Sequence, residues 1–242
     1  MSGLPPVAIL AGGLATRLGS LTERVPKAML PIHGEPFVAH QLRLLASSGI
    51  QRAVLCVGHL GERIEEFVGD GSRLGLAADF SYDGPALLGT AGAVKNALPQ
   101  LGAEFFVLYG DSYLPCDYRA VWAAFQASGR EALMTVFRNQ GQWDTSNVEY
   151  SDGQIQAYDK KNPTSRMKYI DYGLGVFRDR AFAAVDRGAR HDLADVYREL
   201  LARGALAGFE SGERFYEIGS VAGLQELSDH LAGRTDRGAG SG

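Results

Sequence analysis

The sequence predicts an α/β fold: one continuous domain of three layers, with a mixed, mostly parallel central sheet and a β-rich insertion in its second half. Three observations carry this. Short apolar runs alternate with amphipathic helical patterns through the first half. The strand–helix–strand spacing is that of parallel strands covered on both faces. From Asn147 onwards the pattern changes to alternating residues around an Asp-Gly pair, the signature of a hairpin.

The elements follow in order. "VAIL" (7–10) is a buried strand bounded by glycines. "PFVAHQLRLLASSG" (36–49) is a helix that opens on proline, aligns Val38, Leu42 and Leu45 on one face, and stops at Gly49. "RAVLCVG" is a second strand, "LGERIEEFVG" a short helix, "AADFSY" a third strand, "TAGAVKNAL" a helix and "FFVLYGD" a fourth strand. "YRAVWAAFQASG" and "ALMTVF" continue the alternation, with Trp122 and Phe125 as helix packing. Then come the hairpin "NVEYSDGQIQAYD", the strand "YIDYGLGVF", the helix "DLADVYRELLARG", a last strand "RFYEIGS" and a terminal helix. Residues 1–231 read as one domain and 232–242 as an unstructured tail.

Bulk properties exclude several function classes. Of the 242 residues 45% are hydrophobic, enough for a core. The net charge of −4 gives no electrostatic basis for nucleic-acid binding. No apolar run reaches the ~20 residues of a membrane span, and "MSGLPP" lacks the features of a signal peptide. The expected location is the cytoplasm. The two cysteines, Cys56 and Cys116, have no metal-ligand spacing, and Cys56 reads as a small buried hydrophobe.

Chemistry concentrates in "AILAGGLATRLGSLTERVPKAMLPIHG" (8–34). A strand followed by Gly12-Gly13 can present converging backbone N–H groups to phosphate. Arg17 can grip phosphate oxygens bidentately, and Lys27 acts as a point charge. Neither the dinucleotide G-x-G-x-x-G pattern nor the P-loop pattern fits. Taken alone, Gly-Gly-x-x-x-Arg is more simply a strand–helix turn with solvated basic residues.

The wider pattern resembles the sugar-1-phosphate nucleotidylyltransferase family: "LAGGLATRLGSLTERVPKAMLPIHGEP", then "LLGTAGAVKNAL", "VLYGDSYL", "YDKK" and "FYEIGSVAGL", all in family order over roughly residues 7–231. It is most similar to the guanylyltransferases for heptose and mannose 1-phosphates. The resemblance implies a Rossmann-like domain with a nucleotide-binding half (about 7–115) and an acceptor-binding half (116–231). It implies transfer of NMP from an NTP to a sugar 1-phosphate, with Mg²⁺ as cofactor, Mn²⁺ as a possible substitute, and homodimerisation as an option.

Residue by residue, the resemblance gives Leu10, Ala11, Gly12, Gly13, Thr16, Arg17, Gly89 and Thr90 to the nucleotide. Asp83 is placed to accept hydrogen bonds from guanine. The catalytic set is Arg17, Lys27, Asp111 and Lys160, and the metal carboxylates are Asp111 and Glu217, where Glu217 replaces the usual Asp. Asp111 has support of its own, since it follows an apolar strand at the end where α/β folds place ligands. The acceptor falls to Asn147, Asp159, Lys160, Asp171, Tyr172 and Gly173. Asp159, Asp171 and Tyr172 depart from the family's usual Glu, Asn and small residue, and Ala15 replaces a glycine. The Asp171–Tyr172 departure keeps open a cytidylyltransferase acting on a non-sugar phosphate or phosphonate. A nucleotide-sugar-sensing regulatory protein is the rival of another class.

Overall fold

The structure, a computed structural model, describes residues 3–13, 25–143 and 145–238, the last five as backbone only. The first half alternates as the sequence predicts. β1 (Val7–Leu10) is followed by the short pair β2 (Pro31–Ile32) and β3 (Glu35–Pro36), then α1 (Phe37–Ser47), β4 (Arg52–Val57), α2 (Gly61–Val68), β5 (Ala77–Tyr82), α3 (Gly89–Leu101) and β6 (Glu104–Tyr109). The second half contains β7 (Ser112–Tyr113), α4 (Tyr118–Ser128), β8 (Ala132–Arg138), β9 (Val148–Ser151), β10 (Gln154–Tyr158), β11 (Tyr169–Arg178), α5 (Leu193–Ala202), β12 (Leu206–Ser211), β13 (Tyr216–Glu217) and α6 (Val221–Gly238).

One nine-stranded sheet organises the chain, in the order β10-β9-β11-β6-β1-β4-β5, with β8 on β11 and β12 on β8. β4, β5 and β6 run parallel with β1, β12 runs parallel with β8, and β11 is antiparallel to β6, β8 and β9. The fold is therefore α/β and Rossmann-like with a mixed sheet. Alternation along β1 shows the layering. Ala8 faces a core built with α3 and α5, whereas Val7 and Ile9 face a core built with α1, α2 and α4. The β9–β10 hairpin extends this sheet, and Asp152 (φ 53°) and Gly153 (φ 75°) supply the left-handed pair its two-residue turn demands.

Two elements differ from the sequence reading. "RFYEIGS" contributes only the two-residue β13, paired with β7, while the last strand of the main sheet is β12, "LAGFES". Gly208 lies inside β12 because a Cβ there would sit 2.6 Å from the Tyr150 ring. α6 continues to Gly238, through residues assigned above to an unstructured tail. No helix among the described residues is long and apolar enough to cross a membrane. Cys56 is buried in the core, as expected, and Trp122 packs on Phe106 and Phe125.

Candidate active site

The carboxyl ends of β1, β4 and β6 converge. The amide of Ala11 donates to the Cys56 carbonyl at 2.9 Å, and that of Gly110 to the Leu10 carbonyl at 3.1 Å. Gly110 permits this approach, since a Cβ there would lie 2.5 Å from the Leu10 oxygen. Above these ends opens a mainly apolar cavity of about 280 Å³, floored by Leu10, Gly12 and Cys56 and walled by Asp83, Leu87 and Gly89. Gly13 and Thr90 also face it. Burial raises the Asp83 carboxyl pKa above the ordinary carboxylate value, partly offset by the Leu88 amide that donates to it at 3.1 Å. Burial and the Asp83 charge push the Cys56 thiol up to about 12, so it is an inert wall and not a nucleophile.

Gly89 has φ +70°, and a Cβ there would meet the His191 carbonyl oxygen at 2.6 Å. The same oxygen accepts from the Ala91 amide at 3.0 Å, so the segment before α5 docks on the start of α3. Thr90 locks the junction, accepting from the Leu193 amide at 2.7 Å and donating to Asp192 at 3.2 Å. This docking brings Arg190 to the cavity wall. Sequence reasoning missed Arg190, because "RGARHD" offers only a polar loop pattern. Gly89→Ala should lower stability by about 1–3 kcal/mol, read from the urea midpoint, through strain and displacement of the 189–191 segment.

A second, smaller cavity of about 80 Å³ is lined by Ala11, Gly13, Lys27 and Asp111. Gly13 faces both cavities. The Lys27 ammonium lies 2.8 Å from the Asp111 carboxylate. Glu217 is exposed on β13 and paired with Ser112, and the next amide, of Ile218, donates to the Asp111 carbonyl at 3.0 Å. The backbone thus brings the two predicted metal carboxylates into neighbouring registers. Thr16 and Arg17, like Ala15, lie outside the described residues.

On the acceptor side, Lys160 lies 3.1 Å from Asp171, with its ammonium 5.1 Å from the centre of the Tyr109 ring and 5.9 Å from that of Tyr158. Burial pulls the Lys160 pKa down, but the Asp171 charge and the Tyr109 contact outweigh it, and the net shift is upward. Tyr109 stands two residues before Asp111, so β6 joins the lysine to the carboxylate.

Three acceptor assignments need correction. The Asp171 side chain is 2% exposed and engaged at both oxygens: Oδ1 accepts from the Gly173 amide at 3.1 Å, and Oδ2 accepts from the Tyr158 hydroxyl at 3.3 Å and the Lys160 ammonium. It holds Lys160 and does not read an acceptor hydroxyl. Tyr172, 1% exposed, points through the sheet's opposite face into the core against Phe137 and Phe215, because strand neighbours alternate. Asp159 caps its own turn, accepting from the amides of Lys161 at 2.7 Å and Asn162 at 3.0 Å, and these bonds lower its pKa. Asn147 accepts from the Asp171 amide at 3.0 Å and so clamps β11. Gly173 (φ +93°) packs beside Tyr109, with a would-be Cβ 3.3 Å from its ring.

This arrangement suits a nucleotide whose phosphates run from an apolar cavity past backbone glycines to a lysine and carboxylates. Comparison with known proteins agrees, for the family model described as nucleotidyl transferase matches residues 7–232. The chain belongs to the nucleotidyl transferase family.

It is an enzyme of the nucleotidyl transferase type. Among relatives, it is 28% identical over 231 residues to an N-acetylmuramate alpha-1-phosphate uridylyltransferase of Neisseria meningitidis, covering 93% of this chain and 97% of that one. It is 38% identical over 109 residues to a D-glycero-alpha-D-manno-heptose 1-phosphate guanylyltransferase of Campylobacter jejuni, covering 45% and 48%. It is 38% identical over 225 residues to a CMP-5'-(3-aminopropyl)phosphonate synthase of Streptomyces rubellomurinus, covering 88% of this chain and 35% of that one. A putative glucose-1-phosphate thymidylyltransferase from Bacillus anthracis shares the fold, with TM-score 0.81, 21% identity and 94% of each chain covered.

Proposed function

We propose that this nucleotidyl transferase moves GMP from GTP to a sugar 1-phosphate, releasing pyrophosphate, with Mg²⁺ held at Asp111 and Glu217. The observation that carries the reading is the continuity of the site. A cavity of nucleoside size leads through Gly13 to Lys27 and Asp111, and Tyr109 connects these to Lys160.

The acceptor's phosphate oxygen attacks the α-phosphorus as an existing anion, so no strong general base is needed. Lys160 meets the acceptor phosphate, and Lys27 offsets the charge of the NTP phosphates. Backbone N–H groups at Gly12 and Gly13 add fixed donors where no side chain obstructs. The metal assignment fits the donor chemistry. Asp111 and Glu217 offer hard oxygens on neighbouring registers. One or two carboxylates plus substrate phosphates is how Mg²⁺ is commonly held. When bound, the ion supplies charge neutralisation on the phosphates and the departing pyrophosphate.

The base preference rests on Asp83. A carboxylate at the wall of an apolar cavity matches the paired N1–H and amino donors of guanine, and adenine, uracil and cytosine do not present that pair. A matrix of nucleoside triphosphates against sugar 1-phosphates, read by pyrophosphate release, should favour GTP. EDTA should abolish turnover, and Mg²⁺ or Mn²⁺ should restore it. Full turnover in excess EDTA would remove the metal assignment.

A second reading is cytidylyl transfer to a phosphonate. It is favoured by the 38% identity to the Streptomyces synthase and by the engagement of Asp171, which removes one polar group from acceptor recognition. Preference for CTP with 3-aminopropylphosphonate in the same matrix would select it.

A further inference from the structure

Helix α1 sends one buried amide to the turn that carries Asp111. Gln41 is 1% exposed, and its Nε2 donates to the carbonyl oxygens of Ser112 at 2.7 Å and Tyr109 at 3.2 Å. Those carbonyls flank Gly110 and Asp111 in the chain, so a single carboxamide spans the turn. Two acceptors at one end also fix which end is nitrogen. Gln41 Oε1 has no hydrogen-bond partner among the described residues, so the donor end alone makes the contact.

The same turn has two backbone ties: Gly110 N–H to Leu10, and Ile218 N–H to the Asp111 carbonyl. The first joins it to the nucleotide loop and the second to the strand of Glu217. Among the described residues, Gln41 adds the only side-chain tie to those two flanking carbonyls. The rest of its helix face is apolar, with Phe37, Val38, Leu42 and Leu45 buried beside it. A hydrocarbon at position 41 would satisfy that face but leave the Gln41 bonds to both carbonyls unmade, and losing a buried partner is costly.

We infer that Gln41 is a positioning residue for Asp111, holding the turn so that the carboxylate faces Lys27 and the phosphate path. Its catalytic consequence rests on the metal role proposed for Asp111, whereas the clamp itself does not. The test uses the full chain with Gln41→Met, which keeps size and removes the donor. Gln41→Asn, one methylene shorter, serves as a gentler second variant. Leu45→Ala, a core truncation on the same helix, controls for general destabilisation.

Hydrogen–deuterium exchange should show the 109–113 segment opening about tenfold faster in Gln41→Met than in Leu45→Ala, relative to the exchange of the remaining sheet. The Mg²⁺ concentration for half-maximal pyrophosphate release should rise about tenfold, with KM for the NTP at saturating Mg²⁺ nearly unchanged. Gln41→Asn should fall between wild type and Gln41→Met in both. Exchange in 109–113 no faster than in the control would overturn the clamp, and faster exchange with an unchanged metal requirement, in an enzyme that EDTA silences, would overturn its role in positioning Asp111. If the wild type releases no pyrophosphate with any substrate pair, the proposed function fails, and the exchange comparison still decides the clamp.

Discussion

Lys160→Ala should lower kcat/KM for the acceptor by about 10²–10³ while changing KM for the NTP little, the usual scale for losing one preorganised charged group. The geometry makes the loss more than one missing cation. Lys160 is backed by Asp171, whose carboxylate is 2% exposed, and its own side chain remains 41% exposed. The ammonium therefore has a buried counter-charge behind it and an open front where a phosphate can arrive. Removing it leaves Asp171 with only the Tyr158 hydroxyl and the Gly173 amide of its named donors. The incoming dianion then meets an uncompensated carboxylate. Stability should also fall, by about 1–3 kcal/mol, since water reaches the gap and repays part of the lost pairing. This yields a sharper test than the single variant. Lys160→Ala/Asp171→Asn should recover part of the acceptor kcat/KM lost in Lys160→Ala, because the repulsive charge is gone. Steady-state kinetics with varied acceptor decide it, and intact acceptor kinetics in Lys160→Ala would reduce Lys160 to a surface charge.

Much of the fold was legible because its signals are local. The four-residue run "VAIL", the spacing of Val38, Leu42 and Leu45, and the Asp152-Gly153 turn each specify their element without reference to the rest of the chain. β12 was missed because its pattern is broken by Gly208, and that glycine answers to the Tyr150 ring on a distant strand. The site divides in the same way. Asp111 and Lys27 stand in motifs and meet at 2.8 Å. Asp171 and Tyr172 also stand in a motif, yet their roles are set by tertiary neighbours. Parity along β11 sends Tyr172 into the core, and Lys160 claims Asp171. Arg190 and Gln41 carry no pattern at all. Each acquires its place from packing, one through the bare backbone of Gly89 and the other through a helix that passes behind the β6 turn.

Asp111→Asn should produce the largest loss: kcat down by about 10³ or more, because a neutral amide replaces a carboxylate where charge on the phosphates must be balanced. The substitution is nearly isosteric, so shape is kept. The Lys27–Asp111 pair is partly exposed on both sides, and breaking it should cost only about 0–1 kcal/mol. NTP binding should survive, since the Lys27 ammonium no longer shares its charge with Asp111 and is free to meet phosphate. The signature is therefore a collapse of kcat with the melting temperature and NTP affinity preserved, and no rescue by excess Mg²⁺. Lys27→Ala should show the complementary pattern, with weakened NTP affinity. Glu217→Gln should be milder, about 10–100-fold, because Glu217 sits exposed on a two-residue strand and is the second of the two carboxylates proposed for the metal. Titration of NTP in EDTA separates binding from turnover, and steady-state rates across Mg²⁺ concentrations complete the comparison. An Asp111→Asn enzyme retaining more than about a tenth of wild-type kcat would leave too little catalysis for that carboxylate to explain, and would return Asp111 to a counter-ion for Lys27.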